Sequence, residues 1–252
     1  MIELNYFNIF IYIWLALAFF TFIILLFITA PYGRHTRKGW GPSINPRFGW
    51  ILMEIPSVLL FALFFILGDR HTNIVCFFFL LMWEVHYIQR TFIYPLNLRK
   101  SAKKMPFLII IFSLFFNSIN CYLNGRYLFT LGPVYNLSWL IDPRFLIGTG
   151  LFVIGFLINL KSDRILFKLR DQGNGYQIPK TFLYKWISCP NYFGEILEWI
   201  GWAIATWSLP GLTFAVWTIA NLLPRAISNH KWYMDKFEDY PKNRKIIFPF
   251  FF

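Results

Sequence analysis

The chain has 252 residues, of which 57% are apolar, 22% aromatic and only 14% charged, with a mean hydropathy of +0.50. A water-soluble domain of this length could not hide so much apolar surface, so the composition places the chain among integral membrane proteins. The formal net charge of +12 follows from orientation in a bilayer and contact with anionic headgroups and needs no nucleic acid; a second reading gives part of it an anionic ligand.

Apolar stretches of about 17 to 25 residues cross a bilayer as helices. Taken in chain order they predict seven spans, near 8–30, 50–67, 73–96, 106–123, 145–168, 193–208 and 211–233. The first lacks the basic n-region and small-residue cleavage site of a signal peptide and is read as a membrane helix. The second and third are joined by Gly68-Asp69-Arg70-His71-Thr72, and the sixth and seventh by Ser208-Leu209-Pro210-Gly211, so both pairs are tight hairpins. All but Arg70, Arg126 and Arg144 of the 24 Lys and Arg fall on one side of the membrane if the first, third, fifth and C-terminal connections are cytosolic. The positive-inside rule then puts the N-terminus out and the C-terminus in the cytosol. The expected fold is all-α: one domain, 1–252, a multi-pass transmembrane bundle of seven helices with a single internal cavity.

Ionisable groups in apolar surroundings are the candidates for function, because a charge at the centre of a membrane helix costs about 2.5 to 3.5 kcal/mol on insertion scales. Asn159, Asp163 and Arg170 fall within about 40° of one another at 100° per residue, making one polar stripe that must face a protein interior and not lipid. Glu54 stands just before Pro56, whose missing N–H frees backbone carbonyls nearby; it is either a structural carboxylate or a site residue. His86, Tyr87 and Arg90 share a flank of the third span, with Tyr87 either an interfacial anchor or a site residue. Pro190-Asn191 reads as a routine helix start or as an anion-facing N-terminus. The turn-rich Asp171 to Pro179 segment is a cytosolic loop, or a lid over a bound ligand. Cys76, Cys121 and Cys189 have no metal or redox spacing and are read as apolar filler. No glycine-rich dinucleotide fingerprint, Walker lysine or zincin motif occurs, so neither a Rossmann site nor a zinc site is available.

The densest motifs are Tyr176 to Pro179, Asn191-Tyr192-Phe193-Gly194-Glu195-Ile196-Leu197-Glu198-Trp199-Ile200-Gly201, Ala205 to Pro210, and Phe237 to Pro241 with Lys245. The N-terminal half adds Tyr32-Gly33-Arg34-His35-Thr36, Trp50 to Pro56, and His86-Tyr87 with Arg90-Thr91-Phe92. With these the chain resembles the membrane steroid 5α-reductases, which are NADPH-dependent 3-oxo-5-alpha-steroid 4-dehydrogenases. The resemblance covers nearly the whole chain. It implies a cofactor shell, mainly within 159–252, made of Tyr32, Arg34, Arg99, Asn159, Asp163, Arg170, Tyr176, Asn191, Glu195, Arg225, Asn229 and Tyr233. It implies Glu54 and Tyr87 as catalytic residues facing a steroid 3-keto group, with Trp50, Met53 and Arg90 lining the substrate. Two departures bear on substrate preference. Asn229 lies within Ser228-Asn229-His230 where many animal members carry a histidine run, and Met53 replaces a common glutamine.

The resemblance implies reduction of the Δ4 double bond of 3-oxo-Δ4 steroids by a monomeric, metal-free protein of the endoplasmic reticulum or a bacterial inner membrane. Three rivals stand beside it. One is another membrane enone or sterol reductase. Another is an isoprenylcysteine-type methyltransferase, disfavoured by Ser188-Cys189 in place of Arg-His. The third is a non-catalytic sterol-binding protein. The orientation has a direct test: with the native cysteines replaced, a cysteine introduced at Ser101 stays unlabelled by an impermeant reagent in intact cells. Labelling there overturns the assignment of sides.

Overall fold

The structure, a computed structural model, describes residues 2–99, 103–172 and 175–249. Ser101, and Gly173 and Asn174 of the turn-rich loop, lie outside the described residues. Seven long helices follow one another: α1 (Ile2–Phe27), α2 (Pro46–Leu67), α3 (Ile74–Ile88), α5 (Phe107–Arg126), α6 (Pro143–Asp171), α7 (Pro190–Thr206) and α8 (Leu209–Lys236), with α4 (Tyr94–Leu96) a single turn. Each long helix falls on one of the seven predicted stretches. Among the described residues four stretches, Glu3–Phe27, Pro46–Leu67, Phe107–Leu131 and Pro143–Asp171, are long and apolar enough to cross a membrane, and the chain is an integral membrane protein. α7 has 17 residues and at 1.5 Å per residue falls short of the roughly 30 Å hydrocarbon core, whereas α3, the π-turn after it and α4 run on without a break over 74–96.

The chain forms two compact units interleaved along the sequence. Unit one holds 1–12, 30–146 and 208–211. In it α2 begins at Asn45, whose side chain accepts from Arg47 N at 2.9 Å, followed by Pro46 at the first helical position, where a missing N–H costs nothing. α3 begins at Asn73, which accepts from Val75 N and Cys76 N. The core between these helices and α5 is aromatic. Phe61 lies flat on Trp83 with ring centroids 4.1 Å apart, and Phe129 meets Phe61 edge-on at 5.1 Å. π-helical turns, Gln89–Ile93 and Tyr127–Leu131, extend α3 and α5. Arg70 satisfies the carbonyls that the second leaves open, donating to Leu128 O and Thr130 O at 2.9 Å and also to Gly132 O. A two-residue antiparallel ribbon pairs β1 (Ser43–Ile44) with β2 (Met105–Pro106), in the register Ser43 to Pro106 and Ile44 to Met105.

Unit two holds 13–29, 147–207 and 212–252. Its organising contact is the crossing of α6 and α7. Gly148 and Gly155 on α6, and Gly194 and Gly201 on α7, are spaced seven apart and so lie on one face of each helix. A Cβ added at Gly148 would sit 2.3 Å from Ala205 N, at Gly155 2.4 Å from Glu198 N, at Gly194 2.6 Å from Asn159 N, and at Gly201 2.4 Å from Phe152 N. Only hydrogen fits at these positions, and the two backbones touch. The second half of α1 packs on α8, with Trp217 Nε1 donating to Trp14 O at 3.0 Å and Thr29 Oγ1 hydrogen-bonded to Ser228 Oγ at 2.9 Å. The C-terminal segment is tied back by Ser188 N to Lys245 O (2.9 Å) and Lys245 N to Trp186 O (2.8 Å).

Because the obstacle at Gly155 is backbone, Gly155→Ala should destabilise the protein by about 1–3 kcal/mol, the range for overpacking a core. Gly150 on the same helix has nothing within 4 Å of an added Cβ, so Gly150→Ala should be neutral or stabilising by about 0.5–1 kcal/mol. Thermal unfolding in detergent separates the two variants. Equal melting temperatures would contradict the packing described.

Candidate functional site

The glycine faces run directly into polar residues. Asn159 follows Gly155 by four positions and Asp163 by eight, so on α6 they continue the stripe that meets α7. Asn159 is 3% exposed and Asp163 6%. Asn159 Nδ2 donates to Asn191 O at 3.0 Å and to Glu195 Oε2 at 3.1 Å, while Asn191 Nδ2 donates to Asp163 Oδ1 at 3.1 Å. Asn159 and Asp163 of the predicted stripe thus join an amide and carboxylate network across one helix crossing, while Arg170, its third member, stands by the Tyr176 ring. Pro190 takes the first helical position and Cys189 the cap, with no side-chain cap bond. Asn191 therefore does not cap α7; its amide reaches across to α6.

α8 contributes the cation. Arg225, buried, follows Pro224 inside the helix, and its Nε donates to Tyr192 OH at 3.1 Å; Asn229 Nδ2 lies 3.4 Å from the same oxygen. Arg170 is half-buried, its guanidinium 6.0 Å from the Tyr176 ring, and Tyr176 meets Trp232 edge-on at 5.0 Å. Buried Tyr233 stacks on Tyr240 at 5.3 Å with the rings 10° apart. Ser188 Oγ lies 2.5 Å from His230 Nδ1, 2.7 Å from Tyr240 OH and 3.1 Å from Lys245 O, so one hydroxyl ties α8 to the C-terminal segment. Burial raises the Tyr240 phenol above its ordinary pKa, against the opposing pull of Ser188 and Arg244, so the phenol stays a neutral partner in that cluster.

Unit one carries the other predicted residues. Glu54 is half-buried on α2, and Asn117 Nδ2 on α5 lies 3.2 Å from its Oε2. Tyr87 and His86 are buried at the end of α3; the Tyr87 ring packs at 4.9 Å from Trp83 and 5.0 Å from His86. Arg90 lies in the π-turn, where i to i+4 spacing no longer describes its neighbours. Its guanidinium stands 5.0 Å over Trp50 and 4.5 Å over Tyr94, and Trp50 itself is 4.8 Å from Tyr94. The buried Trp50 Nε1 has no acceptor among the described residues. Met53 packs with Met105 and Ile110. Tyr32, Arg34 and Arg99 are half-buried members of the same unit.

A family profile described as 3-oxo-5-alpha-steroid 4-dehydrogenase matches residues 103–252. Steroid 5-alpha-reductase DET2 of Solanum lycopersicum is 44% identical over 252 residues, covering 98% of each chain. 3-oxo-5-alpha-steroid 4-dehydrogenase 1 of Bos taurus is 42% identical over 248 residues, covering 95% of this chain and 94% of its own, and that of Homo sapiens is 43% identical over 225 residues, covering 88% and 86%.

The chain belongs to the 3-oxo-5-alpha-steroid 4-dehydrogenase family.

Membership makes the protein an oxidoreductase and sets aside the methyltransferase reading. In this family member three polar side chains escaped the sequence reading. Tyr192, quoted only as part of a motif, is the acceptor for Arg225; its place beside Asn191 was the one available signal. Buried Arg244 lies 4.9 Å over Tyr240, in a segment read only for its charge. Asn117, buried in α5, stood in an apolar run without attracting notice.

Proposed function

We propose that the protein reduces the Δ4 double bond of 3-oxo-Δ4 steroids to 5α-3-oxosteroids with NADPH, as an integral protein of seven spans with its C-terminus in the cytosol. The observation that carries the reading is 44% identity, over 98% of both chains, to a relative named for steroid 5α-reduction. The residues fit the cofactor. A buried arginine suits phosphate, and the neighbouring Asn159, Asp163, Asn191, Glu195 and Asn229 supply the donors and acceptors that a carboxamide and ribose hydroxyls need.

When bound, NADPH supplies the hydride that reduces C5. As C5 is reduced, negative charge moves through the conjugated system to the C3 oxygen, and C4 then takes a proton. The task of the chain is to stabilise that oxygen. Tyr87 and a neutral Glu54 are assigned as its two donors, the arrangement of a tyrosine and a protonated carboxylic acid that serves ketosteroid isomerase. Trp50 and Arg90, held together by their ring contact, and Met53 are assigned to the wall that positions the steroid.

Two sets of variants test the reading. Arg170→Ala and Arg225→Ala each weaken NADPH binding by about 1.5 to 3 kcal/mol, the range for hydrogen bonds to charged groups, and NADPH binds more tightly than NADH. Unaltered NADPH affinity in both, measured by titration, contradicts the cofactor shell. Tyr87→Phe lowers kcat by roughly 10²- to 10³-fold with NADPH affinity unchanged, because an interaction made in the transition state is lost. Glu54→Gln, which keeps a neutral donor, retains more activity than Glu54→Ala. Wild-type single-turnover rates in Tyr87→Phe and Glu54→Ala would make the pair structural.

A further inference from the structure

We propose that Asn117 is a positioning residue that decides which oxygen of the Glu54 carboxyl carries its hydrogen. The inference rests on the reading of Glu54 as a neutral donor. Asn117 is 4% exposed. Its Nδ2 donates to the backbone carbonyl of Met53 at 2.7 Å and faces Glu54 Oε2 at 3.2 Å.

The first contact fixes the second. A carbonyl oxygen only accepts, so the amide must present its NH2 to Met53 O; the flipped amide would set oxygen against oxygen. With the NH2 so turned, its other hydrogen points at Glu54 Oε2. That oxygen must accept, and of the two oxygens of a neutral carboxyl the carbonyl is the stronger acceptor. A neutral Glu54 therefore carries its hydrogen on Oε1, and Oε1 is the donor to the developing oxyanion. No proton leaves Glu54 in this role: the hydrogen bond shortens and strengthens as charge builds on the steroid oxygen.

The fold holds this amide firmly. Cys121, one turn beyond Asn117 on α5, places its Sγ 3.6 Å from Pro56 O and 3.8 Å from Ser57 O. Trp83 Nε1 of α3 donates to Ser57 O at 2.9 Å. The carbonyls around the proline of α2 thus receive side-chain donors from both neighbouring helices, and of these donors Asn117 also faces Glu54. The sulfur contacts are weak individually, but they set the register of α5 against α2.

Three variants, read by single-turnover enone reduction at saturating NADPH, test the proposal. Asn117→Leu keeps the bulk and removes both donors; kcat should fall about tenfold, the upper end for one neutral hydrogen bond, with KM for the steroid changed less than twofold. Asn117→Asp keeps the shape and offers Glu54 an acceptor instead of a donor, drawing the Glu54 hydrogen to Oε2; its kcat should fall at least as far as that of Asn117→Leu. In a Glu54→Ala background Asn117→Leu should have no further effect, because it acts only through that carboxyl.

A structural role predicts the Asn117→Leu loss undiminished beside Glu54→Ala; Asn117→Asp near wild type would show that Glu54 does not need a donor at Oε2. Either result overturns the proposal. If Glu54→Ala and Tyr87→Phe themselves react at wild-type rates, the donor reading fails and takes this inference with it. If they are impaired while Asn117→Leu and Asn117→Asp are not, only the inference about Asn117 fails.

Discussion

The contact of α6 with α7 through Gly148, Gly155, Gly194 and Gly201 is the constraint on which the polar half of the protein depends. A hydrogen bond such as Asn159 Nδ2 to Asn191 O at 3.0 Å needs an amide side chain to reach the backbone of another helix. The reach is short, so the helices must already be in contact, and the glycines one turn away provide that contact. In a membrane, where apolar burial does little to drive helices together, close backbone approach and the hydrogen bonds it permits are the main attraction. Packing and site are therefore one feature: the same face that loses its side chains at Gly155 and Gly194 gains amides and carboxylates at Asn159, Asp163, Asn191 and Glu195.

A different device organises the other unit. Pro56 interrupts the backbone bonding of α2, and the carbonyls of Met53, Pro56 and Ser57 draw donors from Asn117, Cys121 and Trp83. Helix packing in that region is specified by side chain to backbone bonds, which fix rotation as well as separation. Glu54 sits within this arrangement, and Tyr87 stands one turn from Trp83 on the helix that donates to it.

Much of this was legible in the sequence, for physical reasons that differ by feature. Helix positions were, because about twenty apolar residues can do little else in a bilayer; all seven stretches contain long helices. The Asn159 and Asp163 stripe was, because a polar face on a greasy helix has only one place to go. The third stretch was too, since α3, its π-turn and α4 together fill 73–96 but for its first residue, while α7 starts earlier than its apolar run because Pro190 opens the helix. The π-turn that carries Arg90 was invisible to counting at 100° per residue, so the ring contact of Arg90 with Trp50, at the far end of the preceding helix α2, emerged only in three dimensions. Tyr192 and Asn117 were missed because their roles depend on partners 33 and 64 residues away, a separation that no local pattern encodes.

The central claim is that this family member moves hydride from NADPH to C5 of a 3-oxo-Δ4 steroid and takes the C4 hydrogen from an exchangeable source. Detergent-purified protein given a Δ4-3-ketosteroid and NADPH deuterated at both positions of nicotinamide C4 should release a 5α-3-oxosteroid with deuterium at C5 and none at C4. With unlabelled NADPH in deuterated water the label should instead appear at C4. Mass spectrometry with proton NMR of the product locates it. A product without nicotinamide-derived deuterium at C5, or an unreduced enone across a panel of such steroids, would contradict the account.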